Sequence, residues 1–385
     1  MDFTFSQEAL MMQETLRRFI TEEMVPLQEK HKLNRDVPPP AELRMKMRKR
    51  SAELGFYGIH MPEEVGGGGI STVDRMLLNE EASKHDNVFN QEVFGGAGGP
   101  TPILLACSDK QKEKFLLPLM KGEITTCFGL SEPGAGSDAT NISTTAVKKG
   151  DKWILNGRKH YITHAPSADF AIVFALTDKA KGARGGITCF LVDRTAPGAD
   201  FDHPQHTMDG DGWVGELVFE DCEVPEDNLL GQLGHGFALA MKWINDGRLN
   251  IGASSVGIAK RMLKLSVEYA KQREAFGQPI ANFQLIQAML ADTATEIFAA
   301  ENMVYRSAWM SDQGIDIRKE AAMVKVYCAE MVNRAVDTAM QIHGGMGFMR
   351  ETPIEHVMRQ VRVFRIFEGT SEMQRLTIAK SLLKD

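Results

Sequence analysis

The amino-acid sequence predicts an α+β protein that is helical at its start, β-rich in its middle and a bundle of long helices at its end. Three observations carry this. Apolar residues recur at helical spacing over residues 1–125. That period gives way to short β-branched and aromatic runs over 126–232, and it returns in longer segments over 233–385. The 385 residues also exceed one small domain, which suits such a division.

Taken in order, Ser6 is placed to cap a helix carrying Leu10, Met12, Leu16, Phe19, Ile20 and Met24, with Pro26 near its end. Pro38-Pro39-Pro40 breaks the chain, and a second helix from about Ala41 to Leu54 stops at Gly55. The stretch Pro62–Gly69 is too glycine-rich to be helix, and a third helix runs from about Thr72 to Lys84. Phe94–Pro100 has almost no side chains and is expected to leave open space beside whatever packs on it. Ser108-Asp-Lys-Gln111 reads as a capping box before Phe115, Leu116 and Leu119.

In the middle, Val147–Leu155, Phe170–Leu176, Gly186–Val192 and Glu216–Val224 read as strands separated by turn residues such as Asn156-Gly157 and Pro197-Gly198. They predict a small barrel or sandwich. Long helices near 236–271, 283–313 and 317–342, divided by Phe276–Pro279 and Gln313–Asp316, form the pattern of an antiparallel bundle, and a short helix follows Thr370.

Composition narrows the function. Charged residues are 25% and apolar ones 43%, as in a globular chain, and a net charge of −7 argues against nucleic acid as a partner. The short basic run Arg44, Lys46, Arg48, Lys49 and Arg50 alternates with Met45 and Met47 and reads as a helix with a solvated basic face. No apolar run reaches the ~18 residues of a membrane span, and no signal peptide is legible after Met1-Asp2-Phe3. The cysteines at 107, 127, 189, 222 and 328 form no CxxC pair, which disfavours a disulfide scaffold and a zinc site and fits a reducing, cytoplasmic location. His203-Pro-Gln-His206 reads as a surface loop; no metal site is expected.

Four stretches offer chemistry. Phe128–Asp138 would let backbone N–H groups and hydroxyls approach phosphates or ring heteroatoms, but it is no GxGxxG before a helix, so a nicotinamide-binding unit is not supported. Lys159-His-Tyr-Ile-Thr163 joins a large ring to a hydroxyl, as a platform for a flat cofactor or simply as a buried strand end. Gln341–Gly347 ends a helix in three glycines, one of which a C-cap explains. In Arg362–Arg375 a single carboxylate, Glu368, follows Ile366 and Phe367 and precedes Gly369 and Thr370. Burial there would favour its protonated form and make it a usable base; a helix-start acid is the plainer alternative.

In combination these motifs say more. Pro62-Glu-Glu-Val-Gly-Gly67, Ser131–Asp138, Asn156-Gly-Arg-Lys-His-Tyr-Ile-Thr163, Phe219–Pro225, Gln272-Arg-Glu-Ala-Phe-Gly277, Gln341–Gly347 and Phe367–Arg375 follow one another in the order found in a single family. From end to end the chain resembles the acyl-CoA dehydrogenases. The resemblance implies an N-terminal helical domain (1–125), a middle β-domain (126–232) and a C-terminal four-helix bundle (233–385). It also implies non-covalent FAD, with Phe128, Leu130, Ser131, Ser137, Tyr161, Thr163, Thr370 and Glu372 as cofactor contacts. Tyr161 stands where a tryptophan is usual, and Glu372 where glutamine is common. Arg273, Phe276, Gln284, Gln341 and Gly345 match residues that reach the FAD of a neighbouring subunit, which implies a homo-oligomer, usually a tetramer built as two dimers.

The implied reaction removes an α-proton and a β-hydride from an acyl-CoA thioester, in the manner of fatty-acid β-oxidation, and passes electrons to an electron-transfer flavoprotein. Glu368 matches the base. A minority of the family carries the base just before the arginine matched by Arg248, and that position is Gly247, which cannot serve. Ser137, Asn245, Arg248 and Gly369 are implied neighbours of the thioester and CoA arm. The implied donors to the thioester carbonyl are a flavin ribityl hydroxyl and the backbone N–H of the base. Trp213 either shapes the acyl site or fills a loop. The alternatives are an oxidase of the same fold that reacts with oxygen, which typically uses an aspartate base, a monooxygenase relative, against which Glu368 argues, and a non-enzymatic helical binding protein, which would not need the glycine-rich and Glu-Gly-Thr motifs in register.

Overall fold

The Ser6 hydroxyl accepts a hydrogen bond from the Ala9 N–H at 3.0 Å and starts helix α1, Gln7–Arg18. The computed structural model describes residues 4–384, with the side chains of Lys242, Asn245 and Asp246 outside the description. Helix α1 continues through a π-helical turn into α2, Val25–Lys30, and is followed by α3 (Ala41–Glu53), α4 (Thr72–Ser83) and α5 (Asn90–Phe94). The Ser108–Gln111 capping box forms with both reciprocal bonds and opens α6 (Asp109–Gln111), ahead of α7 (Leu117–Met120).

Eight strands follow: β1 Thr126–Gly129, β2 Thr145–Lys149, β3 Lys152–Thr163, β4 Phe170–Leu176, β5 Ile187–Asp193, β6 Ala199–Thr207, β7 Gly210–Pro225 and β8 Leu229–Leu230. They form one sheet in the order β6-β7-β3-β2-β4-β5-β8, with β1 parallel to β4. Strand β4 is apolar on both faces because both are covered. Phe170, Ile172 and Phe174 join a core with Leu104, Phe115 and Leu116 of the helical segments. Ala171, Val173 and Ala175 join a second core with Leu155, Leu217 and Phe219.

The C-terminal part holds α8 (Gly236–Gln272), the two-residue strands β9 (Glu274–Ala275) and β10 (Gln278–Pro279), α9 (Gln284–Asp312), α10 (Arg318–His343), α11 (Gly345–Phe348), α12 (Ile354–Arg362) and α13 (Ser371–Leu382). Its core joins α8, α9, α10 and α12 through residues such as Val256, Val304, Val332 and Val357. The long helices match their expected bounds closely, whereas α12 was not foreseen.

The chain divides into two compact units. One comprises residues 1–31, 71–87 and 245–385; the other comprises 32–70 and 88–244. Among the described residues no helix is long and apolar enough to cross a membrane.

Three local expectations are corrected. The basic run on α3 does not present a uniformly solvated face, because Arg44 and Arg48 are 6% exposed and share the buried Glu92, whose carboxylate oxygens lie 2.6 and 3.4 Å from their nitrogens. A buried cation needs such a partner, and this one lies beyond the helix, where helical periodicity cannot reveal it. His203–His206 is part of strand β6, paired to β7, rather than a loop. Finally, the glycines of 95–99 do not make open space but permit close packing. A Cβ on Gly95 would sit 2.8 Å from Gly99 Cα, one on Gly98 would sit 2.9 Å from the His164 ring, and those on Gly96 and Gly99 would overlap Gln91 and Gly95.

Candidate active site

The expected site residues fall into two groups, one within each unit. In the sheet-bearing unit they lie on β1, β3 and the loop between β1 and β2. Strand β3 loses register with β7 between Lys159 and Ile162, and in that irregularity Tyr161 takes a left-handed backbone, φ +60°. The slip separates neighbours sharply: Lys159 is fully buried while the Tyr161 ring is 70% exposed, edge-on to His160. Thr163 is half-buried two residues on.

Lys159 Nζ lies 2.7 Å from Glu132 Oε1 and donates to the Leu130 carbonyl at 3.2 Å. Glu132 also accepts from Ser143 N–H, Ser143 Oγ and Thr144 N–H. Burial would raise the Glu132 carboxyl, but the Lys159 charge and these donors carry it down to about 2. Burial pulls Lys159 down to about 8 against the pull of Glu132. The result is a neutral pair that fixes the loop from Leu130 to Glu132, and the Ser131 carbonyl accepts from His160 N–H at 2.9 Å.

Phe128 packs on Trp243 and Phe174, with ring centroids 4.2 and 5.0 Å away. Leu130 is buried, and Ser137 is exposed beside Gly134 and Gly136, where an added Cβ would meet nothing within 4 Å. An exposed flat ring, a hydroxyl two residues beyond it and an open glycine loop fit an aromatic cofactor with a polar edge.

Behind Thr163, His164 is buried against Arg44, whose Nη2 lies 3.2 Å from Nδ1. A guanidinium only donates, so this imidazole nitrogen accepts. Burial, then Arg44 and Arg48, push His164 down to about 3, so it stays neutral. Trp213 donates its indole N–H to the Arg35 carbonyl and lies 5.6 Å from the Arg44 guanidinium, which gives it a packing role.

In the helical unit, Glu368 lies two residues before the Thr370 cap of α13 and is therefore no helix-start acid. Glu368 and Gly369 are both left-handed, φ +52° and +88°. Such a conformation is costly for glutamate and persists only where its surroundings hold it. Gln374 Nε2 donates to the Glu368 and Gly369 carbonyls, each at 3.0 Å. Lys325, fully buried on α10, donates to the Gly369 carbonyl at 2.7 Å. The carboxylate rests against α8, and a Cβ on Gly247 would lie 2.6 Å from Glu368 Oε2. Burial lowers Arg248 and the Glu368 charge raises it, while burial pulls Lys325 down to about 8 against Glu368. A carboxylate in a held turn beside a fully buried lysine and a half-buried arginine is suited to take and return a proton.

The structure thus brings Glu368, Arg248 and Gly369 together, with Thr370 capping the next helix. Glu372 on its first turn is exposed, its carboxyl lowered first by its own backbone N–H and then by Thr370. Arg273, Phe276, Gln284, Gln341 and Gly345 are all solvent-exposed, Phe276 at 95%. The side chain of Asn245 lies outside the described residues. Glu132, Trp243, Lys325 and Gln374 were not foreseen. Lys325 did have a signal: it falls on the face of Ala321, Ala322, Cys328 and Val332, which are buried, where a lysine needs a reason.

A helical, β and helical chain with a cofactor-type platform and a held carboxylate defines a cofactor-dependent oxidoreductase class. Residues 6–123, 127–222 and 234–383 match the N-terminal, middle and C-terminal domains of acyl-CoA dehydrogenase, so the chain belongs to that family, whose members are oxidoreductases acting on CH–CH bonds. It is 40% identical to a 3-(aryl)acrylate reductase of Clostridium sporogenes, over 99% of this chain and 100% of that one. It is 38% identical to the caffeyl-CoA reductase-Etf complex subunit CarC of Acetobacterium woodii, over 99% of each. Among solved structures, butyryl-CoA dehydrogenase from Megasphaera elsdenii superposes with a TM-score of 0.90 at 34% identity over the whole of both chains. An acyl-CoA dehydrogenase of Bacillus anthracis complexed with FAD superposes at 0.86, with 34% identity over 98% of this chain and 67% of that one.

Proposed function

We propose that this chain oxidises an acyl-CoA thioester to the trans-2-enoyl-CoA, with Glu368 as the base. The observation that carries the reading is the Glu368 carboxylate seated against Gly247, in a turn held by Gln374 and Lys325. In the step, the Cα–H bond breaks and its proton goes to Glu368. The Cβ–H bond breaks with its electron pair, and a C=C bond forms. FAD, when bound, supplies the acceptor of that hydride.

Phe128, Leu130, Ser131, Ser137, Tyr161, Thr163, Thr370 and Glu372 would hold the cofactor. Arg273, Phe276, Gln284, Gln341 and Gly345 are exposed and free to meet the cofactor of a second copy, so the active form is a homo-oligomer. Ser137, Asn245, Arg248 and Gly369 would receive the thioester and its CoA arm. Electrons pass onward to an electron-transfer flavoprotein, the kind of partner that the A. woodii relative's name gives for that protein.

The test is Glu368→Gln. FAD content and acyl-CoA binding are expected to persist while anaerobic flavin reduction falls by ~10²–10⁴-fold, the usual contribution of a positioned base. Undiminished reduction would remove Glu368 from the role. The names of the two reductase relatives favour a second reading of the same site, in which the protonated Glu368 returns its proton to Cα of an enoyl thioester. Reoxidation of dithionite-reduced protein by an enoyl-CoA, faster than reduction by the matching acyl-CoA, would select that direction; rapid peroxide release would favour an oxidase.

A further inference from the structure

We propose that Lys325 is a positioning residue for the base: its ammonium holds the Gly369 carbonyl, keeps the left-handed Glu368–Gly369 turn in place and sets a buried positive charge beside the carboxylate. This rests on Glu368 being the base. The position of Lys325 is not one a lysine takes for packing. It is fully buried on α10 among Ala321, Ala322, Val324 and Cys328, and its Nζ is 2.7 Å from Gly369 O. A lysine stem commonly carries its charge out to water; this one carries it inward, to the peptide next to the reacting carboxylate.

The turn already has a neutral donor, because Gln374 bonds the same Gly369 carbonyl. What Lys325 adds is charge. The charges acting on it are Glu368, Arg248 from α8, Glu330 from its own helix and Glu372 from α13, with Glu368 the foremost. Glu330 is already engaged by Arg365 at 3.0 Å and has Arg375 at 3.9 Å. Before reaction the carboxylate therefore faces cations that favour its ionised form, the form that accepts a proton. After proton transfer the same cations face a neutral acid, which favours the proton's departure and resets the site. Two tasks follow for one side chain: fixing where the carboxylate is and biasing when it is charged.

Lys325→Met removes donor and charge at nearly constant length. Lys325→Arg keeps both, and Lys325→Gln, which removes the charge but stays polar, replaces Met should that chain not accumulate. Anaerobic flavin reduction by butyryl-CoA and by 3-phenylpropanoyl-CoA should fall by ~10²-fold in Lys325→Met, as a small misplacement of a reacting group costs. FAD content and the Kd for the CoA ester should stay within about twofold. The acid limb of the pH profile should move to higher pH as the carboxylate loses a cation, and Lys325→Arg should recover part of rate and limb.

Hydrogen exchange in the 363–376 segment needs no substrate and should quicken by at least tenfold in Lys325→Met. Wild-type exchange, or a wild-type rate and acid limb, would overturn the inference. So would loss of FAD and CoA-ester binding in step with the rate, which is what a merely structural lysine would give. Glu368→Gln measured alongside separates the two ideas: if it reduces flavin normally, the base assignment falls; if it is dead while Lys325→Met is normal, only the role of Lys325 falls.

Discussion

Two loops in this molecule hang from fully buried lysines, and they differ in what the lysine meets. Lys159 meets the carboxylate of Glu132, which three further donors from Ser143 and Thr144 also engage. Its loop, Leu130–Glu132, has no reason to change charge. Lys325 donates to a carbonyl, that of Gly369, and the foremost carboxylate acting on it is Glu368, the proposed base. The same residue type, equally buried, serves as a closed strut in one place and as a responsive neighbour in the other. Burial alone does not define a role; the partner's chemistry does.

The comparison can be broken most severely at the strut. Lys159→Met leaves Glu132 buried and ionised without its counter-charge, and should cost about 3–5 kcal/mol in denaturant unfolding together with FAD retention. The double change with Glu132→Gln should recover a good part. A loss under about 1 kcal/mol would mean that the pair is not what fixes the loop.

Gly247→Ala comes next. Its Cβ would enter the space of the Glu368 carboxylate, and flavin reduction should fall by roughly 10–100-fold as the base is displaced. Alanine is the better helix former by about 1 kcal/mol, so stability should hold or rise while the rate falls. Unchanged turnover would show that the carboxylate rests elsewhere during reaction.

The smallest effect sharpens the difference in charge. Lys325 is held down to about 8, below its ordinary value of 10.5, so between those values the unfolded chain binds more protons than the folded one. Wild-type stability should then gain on that of Lys325→Met as pH rises through this window, by on the order of 1–2 kcal/mol. Parallel stability curves would deny the depressed lysine.

Most of the fold was legible because it is written locally. The Ser6 cap, the Ser108–Gln111 box, the Thr370 cap and the long apolar stripes act within a few residues, and their elements sit where they were read. What was illegible is what depends on distant partners. Arg44 looked solvated because Glu92 is far away in sequence, and the 95–99 glycines looked roomy because nothing local says that His164 and their own neighbours press against them. In the candidate site, motif order pointed to Glu368 and Tyr161, residues on or beside the turn and platform. Lys325 holds that turn from α10 and belongs to no motif, whereas Gln374 lies inside the Phe367–Arg375 motif, where nothing local says that its amide turns back to the Glu368 and Gly369 carbonyls.

The seat of Glu368 against Gly247 also bears on where a base can stand. In the resembling family the base stands at either of two positions, and here a Cβ at position 247 would enter the space of the Glu368 carboxylate. The two positions therefore compete for one volume: a side chain at 247 has to push the carboxylate of Glu368 aside, so the missing side chain of Gly247 is part of what places Glu368.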